Sequence, residues 1–172
     1  MEKNNNGEVS IKELPLMRVA CCFATSRAPE AEVISYMKMW IQRNGLDYNK
    51  LRKFGLDIQV SESQRNLGLR SYEYWVTVPE NIPPSEGIKI RYVNPTKYAV
   101  LRITNPFKDP DAVIRAGWNM LYDWAMTHKE KNETEDDEEN PEEEPYSEEK
   151  FMLEEIVEGK DGVCLDLYFP MD

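Results

Sequence analysis

The stretch "IKELPLMRVACCFAT", residues 11–25, returns in modified form as "IRYVNPTKYAVLRIT", residues 90–104. The two copies are 79 residues apart, and Ile11 aligns with Ile90 as Thr25 aligns with Thr104. Each copy has the pattern of a short strand, a turn that contains proline, and a longer apolar strand. The repeat therefore predicts a duplicated structural unit.

A long amphipathic segment follows each copy: "PEAEVISYMKMWIQRNGL" (29–46) and "DPDAVIRAGWNMLYDWAMTH" (109–128). Proline and acidic residues at the start of each segment favour the first turn of a helix. Apolar residues then recur at helical spacing in both segments. We therefore predict two helices, the first ending near Asn44-Gly45, a pair typical of a helix C-terminus.

The correspondence continues after the helices. "FGLDIQ" (54–59) resembles "FMLEEIV" (151–157), and "YWVTVP" (74–79) resembles "LDLYFP" (165–170). These pairs predict two strands after each helix, so each copy is a strand–helix–strand–strand repeat. The first repeat covers about residues 9–80 and the second about 86–172, in one α+β domain (residues 1–172) with antiparallel sheets and pseudo-twofold symmetry.

The negative charge is concentrated in one segment. The net charge is −11, and residues 129–150 alone contribute −9 of it. We predict that this segment is an acidic loop inserted in the second repeat. The nearly neutral remainder disfavours direct binding to nucleic acid, which needs a clustered basic surface. The chain also has no apolar run long enough for a membrane helix and no hydrophobic signal segment, which predicts a cytoplasmic protein that does not bind membranes.

Metal and nucleotide chemistry are not indicated. The three cysteines include no CxxC pair, and His128 is the only histidine, so no metal site is expected. The motifs G-x-S-x-G, G-x-G-x-x-G and the P-loop do not occur. We therefore expect no cofactor.

The strand "RSYEYWVTVPE" (70–80) is unusually rich in aromatic residues that can hydrogen bond. Side chains two apart share a face of a strand, so Tyr72 and Tyr74 point one way while Glu73 and Trp75 point the other. Such residues line apolar pockets that contain a few polar groups. The alternative is that they only pack, because tyrosine and tryptophan favour strands.

A carboxylate interrupts the apolar run of residues 151–157. One of Glu154 and Glu155 should point inward. Against aromatic rings it would suit an organic cation, or a raised pKa would suit it to proton transfer. The alternative is a solvent-facing glutamate continuous with the acidic segment.

The chain resembles the GyrI-like small-molecule-binding domain, which is also the effector-binding domain of bacterial AraC-type and MerR-type activators. The resemblance extends over nearly the whole chain and rests on several stretches in a characteristic order: "IKELPLMRVACC", "FGLD", "YEYWVTVPE", "PPSEGIKI", "KYAVLRITNPF", "LYDW", "FMLEEI" and "LDLYFP". It implies a cleft between the two repeats, lined by aromatic residues, with a glutamate at its base. That glutamate maps to Glu154, and the strand aromatics map to Tyr72, Tyr74 and Trp75. Two departures are the acidic insertion and Ile156, which stands where relatives often have an aromatic residue.

Three functions follow from the residues and the resemblance. The first is a stand-alone multidrug or effector-binding protein that holds an aromatic or cationic molecule; Phe23 and Tyr168 complete its predicted ligand-binding set. The second is a hydrolase of aromatic or cyclopropanoid natural products, in which Glu154 or Glu73 activates water and Tyr72 or Tyr74 donates a proton. The third is a protein-interaction role of the gyrase-inhibitor kind, with gyrase or a regulator as the partner. The natural ligand and the oligomeric state are left open.

Overall fold

The computed structural model describes residues 7–132, 150–160 and 162–171, in which the secondary structure follows the predicted repeat. In chain order the elements are β1 (Ser10–Leu14), β2 (Met17–Ser26), α1 (Pro29–Arg43), a 3₁₀ turn (Tyr48–Lys50), β3 (Lys53–Ile58), α2 (Glu62–Asn66), β4 (Arg70–Thr77), β5 (Lys89–Val93), β6 (Thr96–Thr104), α3 (Pro110–Asn132), β7 (Leu153–Gly159) and β8 (Gly162–Pro170).

The chain divides into two compact units. The first unit is Leu14–Pro95, and the second unit contains the described residues of Met1–Glu13 and Thr96–Asp172. In the first unit the strands lie in the order β3-β4-β2-β5, and in the second they lie in the order β1-β6-β8-β7. The assigned registers are antiparallel in both units. The fold is therefore α+β, with two strand–helix–strand–strand repeats and antiparallel sheets, as the sequence predicts.

The first strand of each repeat lies in the sheet of the other repeat. β1 precedes β2 in the sequence but is the edge strand beside β6, while β5 precedes β6 but is the edge strand beside β2. The two units thus do not coincide with the two stretches of repeated sequence.

Helix α1 covers one face of the first unit's sheet. It begins with Pro29 in its first turn and ends at Asn44, followed by Gly45 at a φ of 72°, a left-handed conformation that glycine adopts without strain. Val33, Met37 and Ile41, which recur at helical spacing, are buried against β2 and β4.

Helix α3 covers one face of the second unit's sheet. Leu121 and Ala125 are buried against β6 and β8. The helix continues to Asn132, so the first four residues of the predicted acidic loop are helical, which corrects the predicted start of that loop. Residues 133–149 of the loop lie outside the described residues.

The described ranges contain the helices α1, α2 and α3. None of the helices within them is both long and apolar enough to span a membrane.

Candidate functional site

The predicted site residues of the first unit fall on both faces of its sheet. Tyr72 and Tyr74 lie on the face that α1 covers, in the same buried cluster as Val76. Strand alternation places Glu73 and Trp75 on the reverse face. Phe23 joins them there, because it is the cross-strand partner of Glu73.

Tyr72 and Tyr74 are both constrained by close neighbours. The ring of Tyr72 lies over Gly55, where any β-carbon would come within 1.6 Å of the phenol oxygen. The hydroxyl of Tyr74 is hydrogen bonded to that of Tyr48. Burial, together with the bond to Tyr48, raises the pKa of the Tyr74 phenol. Tyr74 therefore remains protonated near neutral pH and is a poor proton donor.

Trp75 is fully buried on the reverse face, where its packing accounts for its presence. It pairs with Cys21 on β2 and with Phe54 on β3. The guanidinium of Arg91 lies 5.5 Å from the centre of its ring. A residue so enclosed stabilises the sheet through packing and a cation–π contact.

The adjacent residues Glu154 and Glu155 of β7 lie on opposite faces of the second unit's sheet. Glu154 pairs with Leu167, which packs beneath α3, whereas Glu155 pairs with Asp166 on the reverse face. Both faces of β7 therefore carry a carboxylate, and each carboxylate has an aromatic partner.

Glu154 is held by Trp118, which lies outside the predicted set of site residues. The indole nitrogen of Trp118, on α3, donates a hydrogen bond of 3.1 Å to Oε1 of Glu154. Both side chains are half-buried. The sequence indicates only that Trp118 lies on the same side of α3 as Ile114, four residues earlier.

The approach of Trp118 to the sheet is set by Gly117. A β-carbon at this position would lie 2.6 Å from Cδ1 of Ile103 and 3.1 Å from Cδ1 of Leu167. Because Gly117 has no side chain, the backbone of α3 can come close to β8, the strand that pairs with Glu154. Trp118, the next residue of the helix, then reaches the carboxylate.

Tyr168 and Glu155 form a buried pair on the reverse face. The hydroxyl of Tyr168 donates a hydrogen bond of 2.7 Å to Glu155, whose side chain is only 6% exposed. The ring of Tyr98 packs edge-on against Tyr168 at 5.5 Å. Tyr168 is therefore engaged in the interior, and it does not share a face with Glu154.

A second buried carboxylate lies on the same reverse face. Arg102 donates two hydrogen bonds, of 2.8 and 2.9 Å, to the two oxygens of Asp166. The bonds with Asp166 raise the pKa of Arg102. The pair keeps a buried charge compensated, which is a structural role.

Metal-ligating side chains do not cluster within the described residues. No group of three or more histidine, cysteine, aspartate or glutamate side chains there is arranged to hold a metal ion.

Comparisons with known proteins find similar structures but no matching family model or curated sequence. No family model matches the chain, and no curated protein matches it. The crystal structure of the EcmrR C-terminal domain is 13% identical, with a TM-score of 0.66 over 95% of this chain and 96% of that one. The cryo-EM structure of the EcmrR–DNA complex is 12% identical, with a TM-score of 0.67 over 98% of this chain, which spans 58% of that chain. The structure of SAV2435 bound to tetraphenylphosphonium is 10% identical, with a TM-score of 0.46 over 95% of this chain and 93% of that one.

Proposed function

We propose that this chain, which has the fold of the GyrI-like effector-binding domains, binds small aromatic or cationic molecules through Glu154 and Trp118. The single observation that carries the proposal is the half-buried indole–carboxylate pair on the helix-covered face of the second unit. Both members keep surface that a ligand can reach.

The surroundings of the pair are apolar. Ile114 lies one turn before Trp118 on α3, and Ile156 lies two residues after Glu154 on β7; both are half-buried against the core. A carboxylate partly removed from water attracts a cation more strongly than one in bulk solvent. The adjacent aromatic ring and aliphatic side chains favour a cation that also carries apolar surface.

The hydrogen bond from Trp118 gives the carboxylate a fixed orientation. Since the indole N–H can only donate, it holds Glu154 as an acceptor. A ligand would then meet a charge already positioned for it, which lowers the ordering cost of binding. The cleft between the repeats, and the roles of Tyr72, Tyr74, Trp75, Phe23 and Tyr168 in ligand binding, remain predictions.

Hydrolysis and a gyrase-inhibitor role also remain predictions. The raised pKa of Tyr74 disfavours it as the proton donor that hydrolysis would require, because such a donor works best with a pKa near the operating pH. Binding without turnover is therefore the function that the described contacts support best.

The test is a titration with a cationic rhodamine dye followed by fluorescence anisotropy. Glu154→Gln keeps the shape and removes the charge, and it should weaken binding about tenfold, as expected for loss of a charge-assisted contact. Trp118→Phe keeps a ring and removes the donor, and its effect should be smaller. The matched control is Glu158→Gln, because Glu158 is an exposed carboxylate on the same strand.

An unchanged affinity in Glu154→Gln, with the variant folded by circular dichroism, would rule out this site. So would an equal loss in Glu158→Gln, which would indicate only a general effect of the negative charge.

A further inference from the structure

A pocket of about 290 Å³ lies within the first unit, away from the residues of the proposed site. It is formed where β2 nears its end, beside the first two turns of α1 and the turn that contains Gly87. The residues that matter here are Cys22, Phe23, Glu32, Val33, Tyr36 and Gly87. All of them lie in the described part of the chain.

The floor of the pocket is apolar and uncharged. Cys22 and Val33 are buried, and the thiol of Cys22 points to the carbonyl oxygen of Val33 at 3.7 Å. Burial, and secondarily the charge of Glu73, raise the pKa of Cys22 to about 12. The thiol therefore stays neutral and contributes surface but no charge.

Two aromatic residues line the pocket at the open edge of β2, beyond Cys21, the last residue that pairs with β5: Phe23 from the reverse face of the strand and Tyr36 from α1. Phe23 is 65% exposed and Tyr36 is 42% exposed. The Tyr36 hydroxyl donates a hydrogen bond of 2.8 Å to the carbonyl oxygen of Glu86. Gly87 has a φ of 76°, and a β-carbon there would lie 3.0 Å from the Tyr36 oxygen. The Tyr36 ring is thus anchored at its far end, and a glycine leaves room for it.

The charge at the pocket is negative. Glu32 is the only charged side chain among the residues that line it. Glu73, the cross-strand partner of Phe23 on β4, is not among the lining residues. The basic residue Lys89 of β5 pairs with Cys21 and is not among the lining residues.

We propose that this pocket is a second ligand site, independent of Glu154, that binds a small alkylammonium cation. An anchored tyrosine, an exposed phenylalanine and a carboxylate at the rim form the combination that attracts such a cation through cation–π and charge interactions. The volume of about 290 Å³ lies just below the roughly 300–1,000 Å³ typical of ligand pockets, so we expect a ligand smaller than a dye. A neutral molecule of the same shape would lack both attractions.

The experiment is a titration of the protein with choline and with 3,3-dimethyl-1-butanol, its uncharged isostere, followed by two-dimensional NMR. Choline should shift the backbone amides of Ala24, Val33 and Gly87, and the alcohol should shift them far less. Glu32→Gln and Phe23→Leu should each weaken choline binding about two- to fivefold, the size expected for exposed ionic and cation–π contacts.

Controls separate this site from the proposed function. Both mutated side chains are exposed, so the variants should fold. Glu62→Gln, an exposed carboxylate on α2 of the same unit, should leave choline binding unchanged, and so should Glu154→Gln. Equal binding of the two isosteres, shifts elsewhere in the chain, or full affinity in the double variant Phe23→Leu/Glu32→Gln would overturn the second site without touching the first.

Discussion

Glu154 and Glu155 follow each other along β7, yet they accept hydrogen bonds from aromatic residues on opposite faces of the sheet. Trp118 reaches the half-buried Glu154 from α3, whereas Tyr168 reaches the buried Glu155 from β8. The same residue type thus stands in two environments at adjacent positions. The accessible carboxylate is the one that we propose for ligand binding, whereas the enclosed one contributes to stability.

The enclosed pair leads to the first stability prediction. Tyr168→Phe removes a hydrogen bond to a buried carboxylate and should lower the free energy of unfolding by about 2 kcal/mol. Tyr122→Phe is the matched control, because Tyr122 is 51% exposed on α3, and it should change stability by less than about 0.5 kcal/mol. Urea denaturation of both variants measures the difference, and equal effects would contradict a special role for the buried pair.

Gly117 leads to a second prediction, which concerns packing. Gly117→Ala should destabilise the protein although alanine favours helices, because the new methyl group would overlap Cδ1 of Ile103, and overpacking a core costs about 1–3 kcal/mol. Ile103→Val removes that atom. In the Ile103→Val background, Gly117→Ala should therefore cost less, because only the contact with Cδ1 of Leu167 at 3.1 Å then opposes the helix preference of about 1 kcal/mol. Thermal unfolding of the unaltered protein, the two single variants and the double variant measures the coupling between the substitutions. Additive effects would show that the contact between positions 103 and 117 is unimportant.

The vicinal thiols predict a loss of stability at alkaline pH. Burial and the nearby charge of Glu73 raise the pKa of both Cys21 and Cys22 to about 12, from 9.0. A raised pKa favours the neutral thiol in the folded state, so its contribution is fully present below pH 9 and is lost as the pH rises towards 12. Each thiol should contribute a slope of about 1.4 kcal/mol per pH unit in that window.

The measurement for this prediction is the free energy of unfolding between pH 8 and pH 11. Cys21→Ala/Cys22→Ala should make the decline shallower than in the unaltered protein. Cys164→Ala removes a thiol that is only half-buried and is the comparison. If the double variant followed the same curve as the unaltered protein, ionisation of the vicinal thiols would not cause the decline.

The repeat made most of the fold predictable. Residues 11–25 and 90–104 have the same local pattern, and helical spacing in the segments after them locates α1 and α3 closely. The alternation in β4 also correctly placed Tyr72 with Tyr74 and opposite Trp75. These features depend on residues that are close together along the chain, so they can be read from the sequence alone.

Strand exchange could not be predicted in the same way. The sequence pattern of β1 is compatible with an edge position in either sheet, because an edge strand is hydrogen bonded to a neighbouring strand on one side only. The strand that hydrogen bonds to β1 is fixed only when the sheets assemble. The short loop between Leu14 and Met17 does not distinguish pairing of β1 in one sheet from pairing in the other.

The site was predictable only in part, for a related reason. Strand alternation predicts that Glu154 and Glu155 point in opposite directions. Because apolar residues flank both of them, the pattern does not predict which of the two faces a helix covers. Trp118 was overlooked because a tryptophan within the apolar stripe of a helix has the same pattern whether it packs or donates to a carboxylate.

The exchange of edge strands predicts what would follow if the chain were cut between the two repeats. A cut between residues 80 and 86 would separate the two copies of the sequence but would leave each fragment with a leading strand whose ladder partner is in the other polypeptide. Neither fragment would be complete alone. Reconstitution would require each fragment to add its first strand to the sheet of the other, so we expect the two fragments to bind each other in trans.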